Sequence, residues 1–362
     1  MKILQVITSL RTGGAERLMV DSIPVYQTDG IETDLLILKD EEGEFRNKIE
    51  RNSRNRVSGL TSGSVYNPLL IFRIIPLLNK YDLIHIHLFP TIYWVVLAKI
   101  IAGSKTPLVY TEHSTSNKRR GNLLFRLIDK FIYSRVDFIG CISQGTKDEL
   151  IRHIDRNEQI DVINNGIDLK RFGEHVPSLN FRRLFVNDKS RVLIQVSSFR
   201  EQKDQRTVIE CMRYLAKDIS LLLVGDGPLK DEMISFAKDT EVIDRVKFLG
   251  NRNDIPELLS ISDIAILSSK IEGFGLAIVE GMAAGKPVIA SNIIGISEVV
   301  KGYGMLFSPG NSLELADIIT RLFNDSQLYD EVKSKCISRS KDFSLEKMTH
   351  KYINIYKKII GL

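Results

Sequence analysis

Short apolar runs alternate with longer segments of helical spacing along the whole chain. KILQVI, TDLLIL, DLIHIH, PLVYTEH, DFIGCIS and IDVINNG have the length and β-branched content of strands. Segments such as the one from Ala15 to Tyr26 have the spacing of helices. Around Asn180 the pattern restarts with RVLIQVSSF, SLLLVGDG, RVKFLG, DIAILSS, KPVIAS and YGMLFSP. Nearly continuous apolar strands separated by helices predict parallel sheets covered on both faces. Two such series predict an α/β chain of two Rossmann-like, doubly wound domains facing a cleft. Gly173, Pro177 and Ser178 in RFGEHVPSLNF break the pattern. The expected domains are therefore 1–175 and 176–344, with a helix over 345–362 packing back on the first.

A length of 362 residues suits two cores, and 43% hydrophobic with 26% charged residues excludes a disordered chain. Cys141, Cys211 and Cys336 are scattered without CxxC spacing, which argues for a reducing compartment and against a disulfide framework or zinc site. MKILQVITSL reads as a first strand and not as a signal peptide. The longest apolar run, TIYWVVLAKIIAG, is interrupted by Lys99 and falls short of the roughly 20 residues of a spanning helix. The expected location is cytoplasmic, with peripheral contact on the inner face of the plasma membrane. That contact would come from NKRRGNLLFRLIDKFIYSR, residues 117–135, where Leu123, Leu124, Leu127, Ile128 and Phe131 fall at helical spacing among basic residues. A solvated helix face is the other reading of this stretch. Nucleic acid is not expected, because no stacking aromatics are interleaved with the charge.

The chemistry concentrates in EGFGLAIVEGMAAG. DIAILSS is the strand before it, KIEGFG the exit loop and LAIVEGMAAG the following helix. The N–H groups of Gly275, Leu276 and Ala277 are then the unpaired donors of a helix start, a place that binds phosphates. Gly273 and Gly275, around Phe274, let the backbone approach a ligand. Glu280, on the first turn or so, suits hydroxyls such as those of a ribose, and Glu272 on the loop reaches the other end of the ligand. In one continuous helix the two glutamates would lie about 12 Å apart, too far for two-carboxylate glycoside hydrolysis. Gly13 and Gly14 sit between the first strand and first helix without forming GxGxxG or a P-loop, which removes support for nicotinamide or ATP. His85 and His87 share a strand face but lack a third ligand, so neither metal nor cofactor is expected.

EGFGLAIVE resembles the E-x7-E signature of the retaining glycosyltransferases of family 4 (glycosyl transferases group 1), which have the two-Rossmann GT-B architecture. TGGAERLM, VYTEHS, VINNGID, SSFREQKDQ, LLLVGDGP, VKFLGN and GKPVIASNIIGISEVV follow the family's order. The resemblance implies that Lys203 binds the donor's diphosphate and that His113, at a strand's carboxyl end, lies beside the reacting sugar. It also implies that the backbone at Arg252 meets the nucleotide base, and that Gly13 and Gly14 approach acceptor or diphosphate. Two departures stand out: Ser198 holds the place of a family arginine, for which Arg200 is the substitute, and Ile294 replaces a glycine before Gly295 and Glu298. Asp226 and Gly227 are expected to shape a turn.

The expected function is metal-independent transfer of a sugar, with retention, from a UDP-sugar to a hydroxyl acceptor. The acceptor would be a saccharide or a lipid-linked saccharide in capsule, exopolysaccharide or lipopolysaccharide synthesis. His113, Lys203 and Glu272 are the catalytic candidates. A sugar-nucleotide 2-epimerase and a non-catalytic sugar-nucleotide binder are the alternatives.

Overall fold

The computed structural model describes residues 1–11, 13–52, 56–115, 121–173 and 178–362. The chain forms two compact units, one of Met1–Gly166 with Leu345–Leu362 and the other of Ile167–Ser344. Residues 174–177, where the sequence places its break, lie outside the described residues, as do Asn117, Lys118, Arg119 and Arg120 of the basic stretch.

The first unit is built on seven parallel strands in the order β3-β2-β1-β4-β5-β6-β7. These are β1 (Lys2–Ile7), β2 (Glu32–Lys39), β3 (Val57–Thr61), β4 (Leu83–His87), β5 (Leu108–Glu112), β6 (Phe138–Cys141) and β7 (Ile160–Val162). β3 was not legible in the sequence pattern. It is an edge strand of sequence VSGLT, half-buried at every position, so no apolar run marks it. The central strands are covered on both faces, as parallel strands must be. Leu4, Val6, Ile84, Ile86, Leu108 and Tyr110 join one buried cluster. On the other face Ile3, Leu83 and Val109 pack with Leu18, Tyr26 and the helix Leu345–Ile360.

That terminal helix is amphipathic and inserts Met348, Tyr352, Ile353 and Tyr356 into the core of the first unit. Gly140 on β6 makes room for it: a Cβ there would stand 2.5 Å from the Tyr352 hydroxyl.

The second unit has six parallel strands in the order β10-β9-β8-β11-β12-β13. They are β8 (Arg191–Val196), β9 (Ile219–Val224), β10 (Val246–Gly250), β11 (Ile264–Leu267), β12 (Val288–Ser291) and β13 (Met305–Phe307). In both sheets the winding reverses beside the first strand, between β1 and β4 and between β8 and β11. Such switch points leave a crevice at the carboxyl ends of the strands. Among the described residues, no helix is long and apolar enough to cross a membrane.

Candidate functional site

At the switch point of the second unit, β8 runs into the segment from Ser197 to Lys203 and β11 into the loop from Ser268 to Gly275. Buried polar side chains fasten these loops together. Gln195, 1% exposed on β8, donates from Nε2 to the Lys203 carbonyl at 3.1 Å. Ser268 donates to the Asp204 carbonyl at 2.7 Å, and Gln205 donates to the Ser198 carbonyl at 2.9 Å. The backbone N–H of Lys270 completes the seam on the Gln202 carbonyl at 2.8 Å. Phe199, fully buried against Phe248, anchors the first loop from below.

The seam brings Lys203 Nζ into a salt bridge with the Glu272 carboxylate, the side chains being 24% and 18% exposed. A pair so sheltered from water is stronger than a surface pair, and removing either partner leaves a poorly solvated charge. Glu272 is held from the other side by Gly295, on the turn after β12. With φ +88° Gly295 lies so close that a Cβ would sit 2.5 Å from the Glu272 carbonyl oxygen. Gly275, also at φ +88°, turns the chain into the helix Leu276–Ala283, whose first turn has no side-chain cap. Lys203, Glu272, Gly273, Gly275, Leu276 and Ala277 therefore form one group: a cation, its partner acid and the open amide end of a helix. Such a group suits a diphosphate.

The other candidates in this unit stand differently. The Phe274 ring is 2% exposed and packs edge-on against Phe343 with centroids 5.2 Å apart, so any contact with a ligand falls to its backbone. Glu280 is half-buried one turn into the helix and interacts with neighbouring groups of the protein. Arg252 follows β10 and is forked onto Asp254, with Nε 2.8 Å from Oδ1. That contact holds the Asp254 carboxyl below its usual range. Arg200 is exposed and accepts the Lys203 N–H on its carbonyl at 2.9 Å. Gly227 and Asp226 belong to a turn bound to the Lys203 loop, where the Phe199 N–H donates to the Asp226 carbonyl at 3.0 Å.

In the first unit Gly13 caps the helix Gly14–Thr28 with φ −170°, an extended conformation open to any residue. What its missing Cβ admits is the Glu16 carboxylate, whose Oε2 would lie 2.2 Å from that atom. Burial raises the pKa of Glu16. His113 follows β5 and is half-buried, its Nε2 standing 3.1 Å from Nδ1 of His87. His87 Nε2 lies 2.9 Å from Gln5 Oε1, and His85 sits between the Tyr356 hydroxyl at 2.5 Å and Thr111 Oγ1 at 2.7 Å. Burial pushes His113 down to about 4 and holds His85 and His87 well below the usual histidine range. All three rings are neutral at pH 7. Each nitrogen of His85 and His87 is bonded within the protein. Among the described residues, no group of three or more His, Cys, Asp or Glu is placed to hold a metal ion.

Sequence reasoning missed Gln5 and Gln195. Each is a lone amide near the end of an otherwise apolar first strand, in KILQVI and VLIQVS. Each is 1% exposed and bonds to residues at the switch point of its own sheet. A glutamine in a run destined for burial was the available signal, because a buried amide requires partners.

Two Rossmann-like parallel sheets, one carrying a diphosphate-suited group at its switch point, define the GT-B class of glycosyltransferase. The family described as Glycosyltransferase Family 4 matches residues 12–171, and that described as glycosyl transferases group 1 matches residues 178–341. The chain belongs to this family of glycosyltransferases. It is 29% identical to the N-acetyl-alpha-D-glucosaminyl L-malate synthase of Bacillus anthracis, over 77% of this chain and 75% of the relative. It is also 29% identical to the Escherichia coli UDP-Gal:alpha-D-GlcNAc-diphosphoundecaprenol alpha-1,3-galactosyltransferase, over 69% of this chain and 68% of that one. Among solved structures, Anabaena HepE in complex with UDP-glucose superposes with a TM-score of 0.87. That match is at 26% identity and covers 99% of this chain and 100% of HepE.

Proposed function

We propose that the protein transfers a sugar from a UDP-sugar to a hydroxyl of a saccharide or lipid-linked saccharide, with retention and without a metal. The pairing of Lys203 with Glu272 beside an uncapped helix start carries this reading. The donor's diphosphate takes the place of Glu272 as the main partner of Lys203, and the N–H groups at 275–277 receive its oxygens. As the bond from the anomeric carbon to the diphosphate oxygen breaks, negative charge grows on the leaving group, where the cation and amides stabilise it. The acceptor oxygen bonds to the same face of that carbon, and its proton passes to the departing diphosphate. Glu280 receives ribose hydroxyls, the backbone at Arg252 meets the base, and Arg200 supplies the second cation. In the first unit His113 contacts the reacting sugar, and Gly13 and Gly14 line the approach of acceptor or diphosphate. The UDP-glucose complex of HepE and the UDP-Gal in the name of the E. coli relative support the choice of UDP.

Calorimetric titration with UDP-, GDP- and ADP-sugars, followed by NMR of the product anomer, tests the proposal. Lys203→Ala should lower turnover about 100-fold or more, the scale of losing one preorganised donor to a developing anion. Unaltered turnover, or release of a changed nucleotide sugar with no acceptor present, would overturn it.

Work on polysaccharide at the inner face of a membrane is part of the same proposal. The helix Leu123–Tyr133 turns Leu123, Leu124, Leu127 and Phe131 to solvent at 78%, 65%, 66% and 46% exposure while burying Asp129. An outward apolar row on a segment with Arg126, Lys130 and Arg135 suits an anionic lipid surface. Co-sedimentation with phosphatidylglycerol vesicles should fall for Leu124→Ser with Leu127→Ser. Equal binding by that variant would dismiss the contact.

A further inference from the structure

Three hydrogen-bonding side chains in the first unit, Gln5, His87 and His113, form a line from the core to the strand end. Gln5 and His87 are buried, and His113 is half-buried. Each imidazole here is uncharged, so each carries one N–H and one bare nitrogen, and every contact in the line must have one donor. We infer that Gln5 and His87 are positioning residues that hold His113 in a single tautomer, with its proton on Nε2 and a bare Nδ1 presented to a ligand hydroxyl. The inference rests on the reading of His113 as the residue facing the sugar.

The direction follows from the buried end. Gln5 lies fully buried on β1 and turns its Oε1 toward His87. An amide oxygen only accepts, so Nε2 of His87, 2.9 Å away, is the donor. His87 Nδ1 is then bare and accepts from His113 Nε2 across 3.1 Å. On the neighbouring branch His85 bridges the Tyr356 hydroxyl and Thr111 Oγ1, one nitrogen to each. Tyr26, on the helix Gly14–Thr28, and Tyr352, on the terminal helix, close the surroundings. Among the described residues, no carboxylate is bonded to this line. The consequence for specificity is that His113 receives a hydrogen bond from the sugar. A donor sugar with that hydroxyl removed loses a partner and leaves the nitrogen bare.

Long-range proton–nitrogen correlation spectra of the full-length protein labelled with 15N-histidine, taken at neutral pH without substrate, read the tautomer directly. His113→Gln identifies the signal. The expected result is a single Nε2–H form; an Nδ1–H form, or an average of the two, overturns the inference. His87→Phe removes the acceptor and should give the averaged signal. It should also lower kcat about tenfold, the worth of one hydrogen bond, while KM changes less than about twofold. His87→Asn, whose amide oxygen can stand where Nδ1 stood, should restore both. Equal loss of kcat in the two variants with an unchanged His113 signal would refute the positioning role, and the wild-type spectrum decides the tautomer even if His87→Phe does not fold. Normal transfer by His113→Ala would instead overturn its contact with the sugar and leave the tautomer standing.

Discussion

Adding one methyl group at position 295 would press on the backbone that carries Glu272. In Gly295→Ala the new Cβ would stand 2.5 Å from the Glu272 carbonyl oxygen and 2.8 Å from that of Gly273. Ordinary non-bonded contact needs about 3.5 Å, so one of the two turns must move by about 1 Å. The atoms met are backbone, which cannot swing aside. At φ +88° the alanine also carries backbone strain of about 1–3 kcal/mol, and forced overpacking adds about 1–3 kcal/mol. For a unit of this size, a total of about 2–6 kcal/mol lowers the melting transition by roughly 4–24 °C. Because the turn that moves holds the partner of Lys203, turnover should fall on the order of 100-fold, as expected for a 1 Å misplacement. Gly302→Ala is the control: it has φ +85° but no atom within 4 Å of the added Cβ, so it should cost strain alone and keep its turnover. Scanning calorimetry and initial rates of transfer on the two variants decide the matter. If Gly295→Ala melts and turns over like Gly302→Ala, the close approach does not hold the Glu272 loop.

Stability should also depend on pH through the buried histidines. Each has a folded pKa below the ordinary value of about 6.5, His113 reaching about 4. As pH falls through this window the unfolded chain takes up protons that the folded unit refuses, so stability present above about 6.5 is lost toward 4. The urea midpoint of the first unit should drop across that range, and His113→Gln should flatten the dependence; a midpoint indifferent to pH would contradict it. Removing residues 345–362 should unfold the first unit. Leu345, Met348, Tyr352, Ile353 and Tyr356 are each 5% exposed or less, and five such side chains contribute about 7–15 kcal/mol, as much as a whole domain's stability. A truncated chain with native near-UV circular dichroism would count against this.

The central strands were legible because a parallel strand buried on both faces must be apolar along its length, as in LLLV and IAIL. β3 was not, since VSGLT at the sheet edge is only half-buried. The loop-to-helix turn around Gly275 could be read from its punctuation, glycines after a strand and before a helix pattern. Its partner could not. Lys203 and Glu272 stand 69 positions apart and meet only because β8 and β11 are neighbours at the switch point. Sequence places Phe274 in a ligand loop, yet its ring packs against Phe343, which the terminal part of the unit brings to it.

Local order thus came from the chain itself: the alternation of strands and helices, the twofold restart near Asn180 and the chemistry carried by each loop. These are properties of neighbours in sequence, where hydrophobic period and turn residues act directly on the backbone. Tertiary structure alone decided which loops share a switch point, which glycine stands against Glu272 and which tautomer His113 is given. Each of those depends on contacts between residues far apart along the chain, and such contacts exist only once burial has drawn the strands into order.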